Sequence, residues 1–159
     1  MLPFLQSIDN EPYDVLYVTG KNYYENYSKN KFSKNVKVVP YVENLSSLLK
    51  DIDLIITRAG ASTIAEITSL GLPAILIPSP YVANNHQYYN ALSLKNANAS
   101  ELIEQKDLNE KTLKETINKI LNNKNTYETY HNNLLKLSIP NSSTIIYESI
   151  KKLINEKEC

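Results

Sequence analysis

Cysteine, arginine and histidine are nearly absent from this chain, and each scarcity removes a kind of chemistry. The one cysteine, Cys159, is the last residue, so no internal disulfide forms. That fits a reducing compartment without requiring one. His86 and His131 are the only histidines, too few with this cysteine to assemble a soft-ligand zinc site. No soft-metal site is expected from these residues, and no cofactor is expected. Neither sign of charge is in excess: 17 basic residues face 17 acidic ones, so no global field draws nucleic acid or an acidic membrane. No apolar run approaches the roughly 18 residues that a membrane-spanning helix needs. The opening Met1-Leu-Pro-Phe-Leu-Gln6 lacks the charged and apolar regions of a signal peptide. The chain reads as soluble, with contact at a membrane surface left open.

What is present suits one domain, 1–159, with a single sizeable core and a terminal helix over 141–159. Short β-rich runs at Asp14–Thr19, Val36–Val39, Asp53–Thr57, Ala74–Ile77 and Ser100–Ile103 alternate with stretches of helical period. Val15-Leu-Tyr-Val18, Leu54-Ile-Ile56 and Ala74-Ile-Leu-Ile77 are nearly continuous apolar runs, the pattern of parallel strands buried on both faces. Helices are predicted over Asn44–Lys50, Ala61–Leu70, Asn84–Asn96, Asn109–Asn122, Thr126–Leu137 and Ser143–Asn155. Leu113, Ile117, Ile120 and Leu121 form one stripe, and Ile146, Ile150, Leu153 and Ile154 form another, so both are expected to face a core. Repeated βαβ units make the fold α/β, a Rossmann-like, doubly wound parallel sheet.

The most informative stretch is Asp53-Leu-Ile-Ile-Thr-Arg-Ala-Gly-Ala-Ser-Thr-Ile-Ala-Glu66, a strand, a small-residue turn and a helix start. Gly60 lets a ligand approach the backbone. The helix entrance presents unpaired N–H groups and a partial positive charge, which suits a diphosphate. Glu66 follows a turn later, within reach of a ribose whose two hydroxyls call for a bidentate acceptor. The competing reading is a capping box, in which Thr63 and Glu66 only satisfy backbone N–H groups. Arg58 has its own alternative, a surface ion pair of little energy.

A second stretch, Pro78-Ser-Pro-Tyr-Val-Ala-Asn-Asn-His-Gln-Tyr-Tyr-Asn-Ala91, follows the fourth strand. On a helix from Asn84, the side chains of His86, Gln87 and Asn90 share about 100° of surface. They form a row of groups suited to sugar hydroxyls, with Tyr88, Ala91 and Leu92 opposite them and facing the core. The alternative is an ordinary solvent-facing turn capped by Asn84 or Asn85. Asp51-Ile-Asp53 has the form of a metal-binding acidic pair, but it precedes a strand, at the sheet edge opposite the turn, and is set aside. His131 has no partner in the sequence and is read as a surface residue.

Arg58-Ala-Gly-Ala-Ser-Thr-Ile-Ala-Glu66, Gly71-Leu-Pro-Ala-Ile-Leu-Ile-Pro-Ser-Pro80 and Asn85-His-Gln-Tyr-Tyr-Asn-Ala91 together resemble the MurG family. These transferases add N-acetylglucosamine to a lipid-linked muramyl-pentapeptide. Tyr13-Asp-Val-Leu-Tyr-Val-Thr-Gly20, Val38-Val-Pro-Tyr-Val-Glu43 and Leu137-Ser-Ile-Pro-Asn141 extend the resemblance over essentially the whole chain. It implies the C-terminal, donor-binding half of a two-domain GT-B enzyme. Tyr41 and Val42 would then lie at the uracil, and Ala61, Ser62 and Thr63 at the diphosphate and sugar. Glu66 would hold the ribose, and His86, Gln87 and Asn90 would face the N-acetylglucosamine. Arg58 would stand near the same loop. The implied reaction is inverting and metal-independent. Its partners are UDP-N-acetylglucosamine and a lipid-linked acceptor, at the inner face of a bacterial plasma membrane.

The chain departs from the family in three places. Nothing corresponds to the N-terminal acceptor domain, so no catalytic residue is expected in this chain; the base is expected in that domain. The Gly-Gly-Ser-type loop and the strand before it are also missing, which makes Met1–Gln6 the end of the following helix. The missing strand is central in the order 3-2-1-4-5-6. Either Val15–Val18 pairs directly with Leu54–Ile56, or a gap awaits a partner or the missing segment, as in a truncated or split enzyme. Third, Asn98 stands where the family often has glycine, and asparagine tolerates the left-handed conformation that turn needs. A donor-binding subunit working through a separate membrane partner is an alternative, and it predicts an apolar patch around Met1–Leu5 and the final helix. A UDP-N-acetylglucosamine 2-epimerase-like protein is another, but it needs acid/base residues that the chain does not display.

Overall fold

The computed structural model describes residues 1–155; Cys159 and the end of the 141–159 helix lie outside the described residues. Five parallel strands form, each close to its expected place. They are β1 (Val15–Val18), β2 (Val36–Val39), β3 (Ile55–Thr57), β4 (Ala74–Leu76) and β5 (Glu101–Leu102). The helices are α1 (Leu2–Gln6), α2 (Tyr24–Ser28), α3 (Leu45–Leu48), α4 (Ala61–Leu70), α5 (His86–Asn96), α6 (Glu110–Leu121), α7 (Lys124–Leu137) and α8 (Ser142–Asn155). α2 was not expected from the residue pattern; it is a single polar turn held against β1 by the edge-to-face contact of Tyr17 and Tyr27 at 5.0 Å. Asparagine side chains cap three helices: Asn44 accepts from Ser47 N–H, Asn109 from Thr112 N–H, and Asn123 from Thr126 N–H. Asn98 takes the left-handed conformation, at φ 51°.

The strands do not join into one sheet. β1 pairs with β2, from Val15 opposite Val36 to Val18 opposite Val39. β3 pairs with β4, and β4 with β5. Of the two sequence alternatives, direct pairing of β1 with β3 does not occur, and the gap remains.

Helices cover the two faces unequally. On one face Phe4, Leu5, Ile8, Ile75, Ile77, Ile103, Leu113, Ile117 and Ile120 form a core, with Val15, Tyr17, Leu54 and Ile56 packed against it. On the other, Ala74 and Leu76 pack with Ala59, Ile67, Leu72, Ala91, Leu94 and Leu134, drawn from α4, α5, α7 and the loops between. β4 is buried throughout, as its sequence predicts. β1 and β3 are not: Leu16 is 37% exposed and Val18 42%, against the expectation of two covered faces.

Two apolar features differ from the core-facing or exposed places expected of them, although the exposed face of the final helix is the one the split-subunit alternative expects. Phe4 and Leu5 are buried and Met1 and Leu2 half-buried, so the apolar side chains of Met1–Leu5 turn toward the core rather than forming an exposed patch. In α8, Ile146, Ile150, Leu153 and Ile154 stand 52–61% exposed, and no residue of the helix is buried. The stripe exists, but neither core reaches it, because amphipathic spacing marks a face without supplying what covers it. Ile150→Glu should therefore change the unfolding free energy by no more than about 0.5 kcal/mol, read by denaturant titration. A loss of several kcal/mol would show that the helix packs on the domain. No helix of the described residues is long and apolar enough to cross a membrane.

Four tyrosines with raised ionisation pack in or against the core. Burial, with Glu11 nearby, pushes Tyr13 up to about 12. Burial also raises Tyr17 (helped by Tyr27), Tyr127 (by Asp53) and Tyr130, which donates to Glu101.

Candidate functional site

The C-terminal ends of the strands carry the candidate residues, each placed by the turn after its strand. After β3 the chain passes Arg58 and Ala59 to Gly60, which is the N-cap of α4 at φ −72° and ψ 148°. No side chain caps this helix. The first i to i−4 bond of the helix runs from Ile64 N–H to Gly60 C=O, so the N–H groups of Ala61, Ser62 and Thr63 precede the ladder. Ala61 and Ser62 are exposed, and Thr63 and Glu66 half-buried.

This boundary removes the capping-box alternative. The helix begins at Ala61, which makes Thr63 its third residue rather than its cap and places Glu66 in the second turn. Gly60 is not required by its backbone angle either. A Cβ added there would meet only Thr63 Oγ1, at an ordinary 3.8 Å. The loop's own geometry does not require glycine here, and what the missing Cβ preserves is open space above the backbone.

Arg58 does not form the expected surface ion pair. Its Nη1 donates to the carbonyls of Ile77 (3.1 Å) and Pro78 (3.2 Å), tying the end of β3 to the end of β4. The rest of the planar guanidinium remains on an exposed residue at the rim.

The second stretch differs more from its expectation. A 3-10 turn occupies Ala83–Asn85, with Asn84 and Asn85 both left-handed at φ 53° and 51°, and α5 starts only at His86. Asparagine is the residue after glycine best suited to such angles. The core-facing stripe contains Ala91 and Leu94, while Tyr88 and Leu92 are only half-buried. Gln87 lies at i−4 to Ala91 and Asn90 at i−4 to Leu94, on this inward stripe rather than opposite it. That is a correction to the sequence reading.

Gln87 and Asn90 bind neighbouring loops instead of projecting to solvent. Gln87 Oε1 accepts from Ser79 N–H at 2.9 Å, and Asn90 Nδ2 donates to Ala59 C=O at 3.1 Å. Gln87 keeps its amide donors and Asn90 its amide acceptor beside the loops they brace. His86 is exposed, with Nδ1 3.0 Å from Ala83 C=O. A carbonyl only accepts, so Nδ1 carries the proton and, in the neutral ring, Nε2 is an acceptor.

Tyr41 is 63% exposed just after β2, with Val42 half-buried beside it. The ammonium of Lys21, from the turn after β1, stands 5.9 Å from the Tyr41 ring centroid. This cation is one the sequence reading missed, although its place directly after Gly20 and a strand end was available as a signal. Asp51 and Asp53 precede β3, at the opposite end of the sheet from these turns. His131 is not a free surface group: half-buried, its Nδ1 donates to Gly71 C=O at 2.7 Å.

Comparison with known proteins places this geometry among glycosyltransferases. Residues 2–144 match the family model described as the glycosyltransferase family 28 C-terminal domain. Curated relatives named as UDP-N-acetylglucosamine–N-acetylmuramyl-(pentapeptide) pyrophosphoryl-undecaprenol N-acetylglucosamine transferases are similar over nearly all of the chain. The Bacillus cytotoxicus protein is 38% identical over 156 residues, 96% of this chain but 43% of its own length. The Pediococcus pentosaceus protein is 35% identical, over 94% of this chain and 42% of its own length. The chain thus spans under half the length of these relatives. Among solved structures, Acinetobacter baumannii MurG superposes with a TM-score of 0.76 at 23% identity, covering 87% of this chain and 43% of that one. The glycosyltransferase VinC, solved in complex with dTDP, follows at 0.69 and 19%, covering 84% and 32%. These likenesses establish a Rossmann-like half of a GT-B architecture.

Proposed function

The chain belongs to the glycosyltransferase family 28 C-terminal domains, and from that membership we propose that it is the UDP-N-acetylglucosamine-binding half of an N-acetylglucosaminyltransferase that makes a lipid-linked peptidoglycan precursor. The observation that carries this reading is the uncapped entrance of α4 behind Gly60, with Glu66 a turn and a half inside. An uncapped helix entrance favours an anion, and a diphosphate supplies the acceptors that its N–H groups lack.

In this reading Ala61, Ser62 and Thr63 receive the diphosphate and Glu66 the ribose hydroxyls. Tyr41 and the Val42 backbone meet the uracil. His86, Gln87 and Asn90 offer a ring acceptor, an amide donor and an amide acceptor to the N-acetylglucosamine. Arg58 positions the loop. The acceptor hydroxyl attacks the anomeric carbon from the face opposite the diphosphate, and the bond to the β-phosphate oxygen breaks. UDP leaves with that electron pair, and the proton passes to a base outside residues 1–159. The charge gained by the diphosphate lies at the α4 entrance, where fixed N–H groups stabilise it without a metal ion. The acceptor is a lipid-linked muramyl-pentapeptide, reached at the cytoplasmic face of a bacterial plasma membrane.

Calorimetric titration with UDP-N-acetylglucosamine, UDP and ADP tests this. The two uridine nucleotides should bind and ADP should bind more weakly; equal affinities would remove the assignment to a uridine diphosphate. Gly60→Ala should cost the fold no more than about 1 kcal/mol, the usual difference at a helix cap. Its methyl would nonetheless stand in the space the diphosphate needs, weakening UDP about tenfold on the scale of 1.4 kcal/mol per decade. Unchanged UDP affinity in a folded Gly60→Ala protein would place the diphosphate elsewhere.

A further inference from the structure

Among the large apolar and aromatic side chains of the described residues, Tyr81 is the most exposed, at 86%. A single exposed ring on a loose loop would call for no explanation. This loop is not loose. Pro78 and Pro80 fix two of its φ angles, and Arg58 Nη1 holds the carbonyls of Ile77 and Pro78. Ser79 N–H donates to Gln87 Oε1 at 2.9 Å, and Ser79 Oγ accepts from Tyr81 N–H at 3.3 Å. Beyond Tyr81, Asn85 N–H closes the next turn onto Val82 C=O. The backbone is anchored on both sides of Tyr81, and the side chain is left without a partner. Neither its ring nor its hydroxyl makes a ring contact or a hydrogen bond among the described residues. Tyr88 and Tyr89, farther along the segment, engage each other edge to face.

The neighbouring groups indicate what the ring is displayed toward. β3 and β4 run parallel, with Thr57 opposite Leu76, so the loops after them leave the same edge of the sheet. Arg58 links these two loops directly, and Asn90 Nδ2 reaches from α5 to Ala59 C=O. The Ser79–Gln87 bond closes the base of a loop that carries Tyr81 near one end and His86 at the other. Tyr81 therefore shares a loop with the imidazole assigned to the sugar, beside the α4 entrance assigned to the diphosphate.

We propose that Tyr81 is a specificity residue for the sugar, its ring packing flat against a C–H face of the pyranose in a bound UDP-hexose. The inference rests on the uridine-diphosphate reading of the α4 entrance and adds a group that this reading leaves out. A pyranose is polar around its rim but carries C–H bonds on its faces, and the face of an aromatic ring is negative and attracts them. His86, Gln87 and Asn90 offer hydrogen bonds to the rim, which leaves a flat apolar surface to be covered. A braced loop makes this contact at little entropic cost, because only the tyrosine side-chain torsions are ordered on binding.

Calorimetry with UDP and UDP-N-acetylglucosamine separates this contact from the nucleotide. Tyr81→Ala should weaken UDP-N-acetylglucosamine by about fivefold or more, the scale of one aromatic contact, and leave UDP within about twofold of wild type. Tyr81→Phe should bind both ligands within about twofold of wild type, since the ring and not the hydroxyl does the packing. The three proteins should melt together, because the side chain is exposed. Unchanged affinity of Tyr81→Ala for the sugar nucleotide overturns the proposal. So does an equal loss for UDP, or a lower melting temperature, either of which would make Tyr81 a part of the loop's own packing. A Tyr81→Phe protein as weak as the alanine protein overturns it too, by assigning the contact to the hydroxyl. A wild type that binds neither ligand removes the nucleotide reading, and this inference with it. A wild type that binds both, while Tyr81→Ala discriminates between them no differently, removes this inference alone.

Discussion

Gly71→Ala should lower the unfolding free energy by about 2–4 kcal/mol, as a left-handed penalty of about 1–2 kcal/mol adds to overpacking of similar size. Gly71 ends α4 at φ 61°, and its N–H bonds the carbonyls of Ile67 and Thr68. A Cβ there would stand 2.7 Å from His131 Nδ1, 2.8 Å from Cε1 and 2.9 Å from Leu135 Cγ. The ring cannot swing aside freely, because Nδ1 donates to Gly71 C=O. For a chain of this size the loss corresponds to a fall of about 5–15 °C in Tm. Gly20→Ala is the control. It is also left-handed, at φ 77°, but its Cβ would meet nothing within 4 Å, so only the backbone penalty remains. Adding Gly71→Ala to a His131→Ala background should recover part of the difference. Equal losses at Gly20 and Gly71 would rule out the packing term.

That contact shows where sequence reasoning stops. The α4 boundary at Ala61 and Leu70 was legible because a small-residue turn precedes it and Gly71 follows. The α6 stripe was legible because Leu113, Ile117 and Ile120 repeat at helical spacing against a polar background. His131 was misread because its partner is a backbone carbonyl 60 residues away, and a carbonyl leaves no mark in a residue pattern. α5 misled in another way. Tyr88, Tyr89, Ala91, Leu92 and Leu94 surround it with apolar groups, so no side is singled out. The fold chose the side with Ala91 and Leu94, where amide groups of Gln87 and Asn90 satisfy the loops beneath. α8 presents the reverse case, a clear stripe with nothing among the described residues to cover it. At the candidate site, the strand-turn-helix order was readable, but the left-handed pair Asn84–Asn85 and the position of Lys21 over Tyr41 depend on how separate turns meet.

Glu66→Ala should weaken UDP by about 1–3 kcal/mol, or roughly 5- to 150-fold, the range for leaving a hydrogen-bonding partner unmatched. The structure separates this from a loss of stability. Glu66 lies in the second turn of a helix whose cap is Gly60, so its carboxylate does not hold the helix start, and alanine is the better helix former. The melting temperature should therefore stay near wild type while affinity falls. Glu66→Gln keeps the shape and one acceptor oxygen and should fall between the two. A ribose contact makes a sharper demand: 2′-deoxy-UDP should bind the wild type less well than UDP, yet bind Glu66→Ala about as well as UDP does. If the alanine protein still discriminates between the two nucleotides as the wild type does, the hydroxyls are read by another group. If it melts lower at unchanged affinity, Glu66 serves the helix, and the case for a nucleotide at the α4 entrance loses its acidic partner.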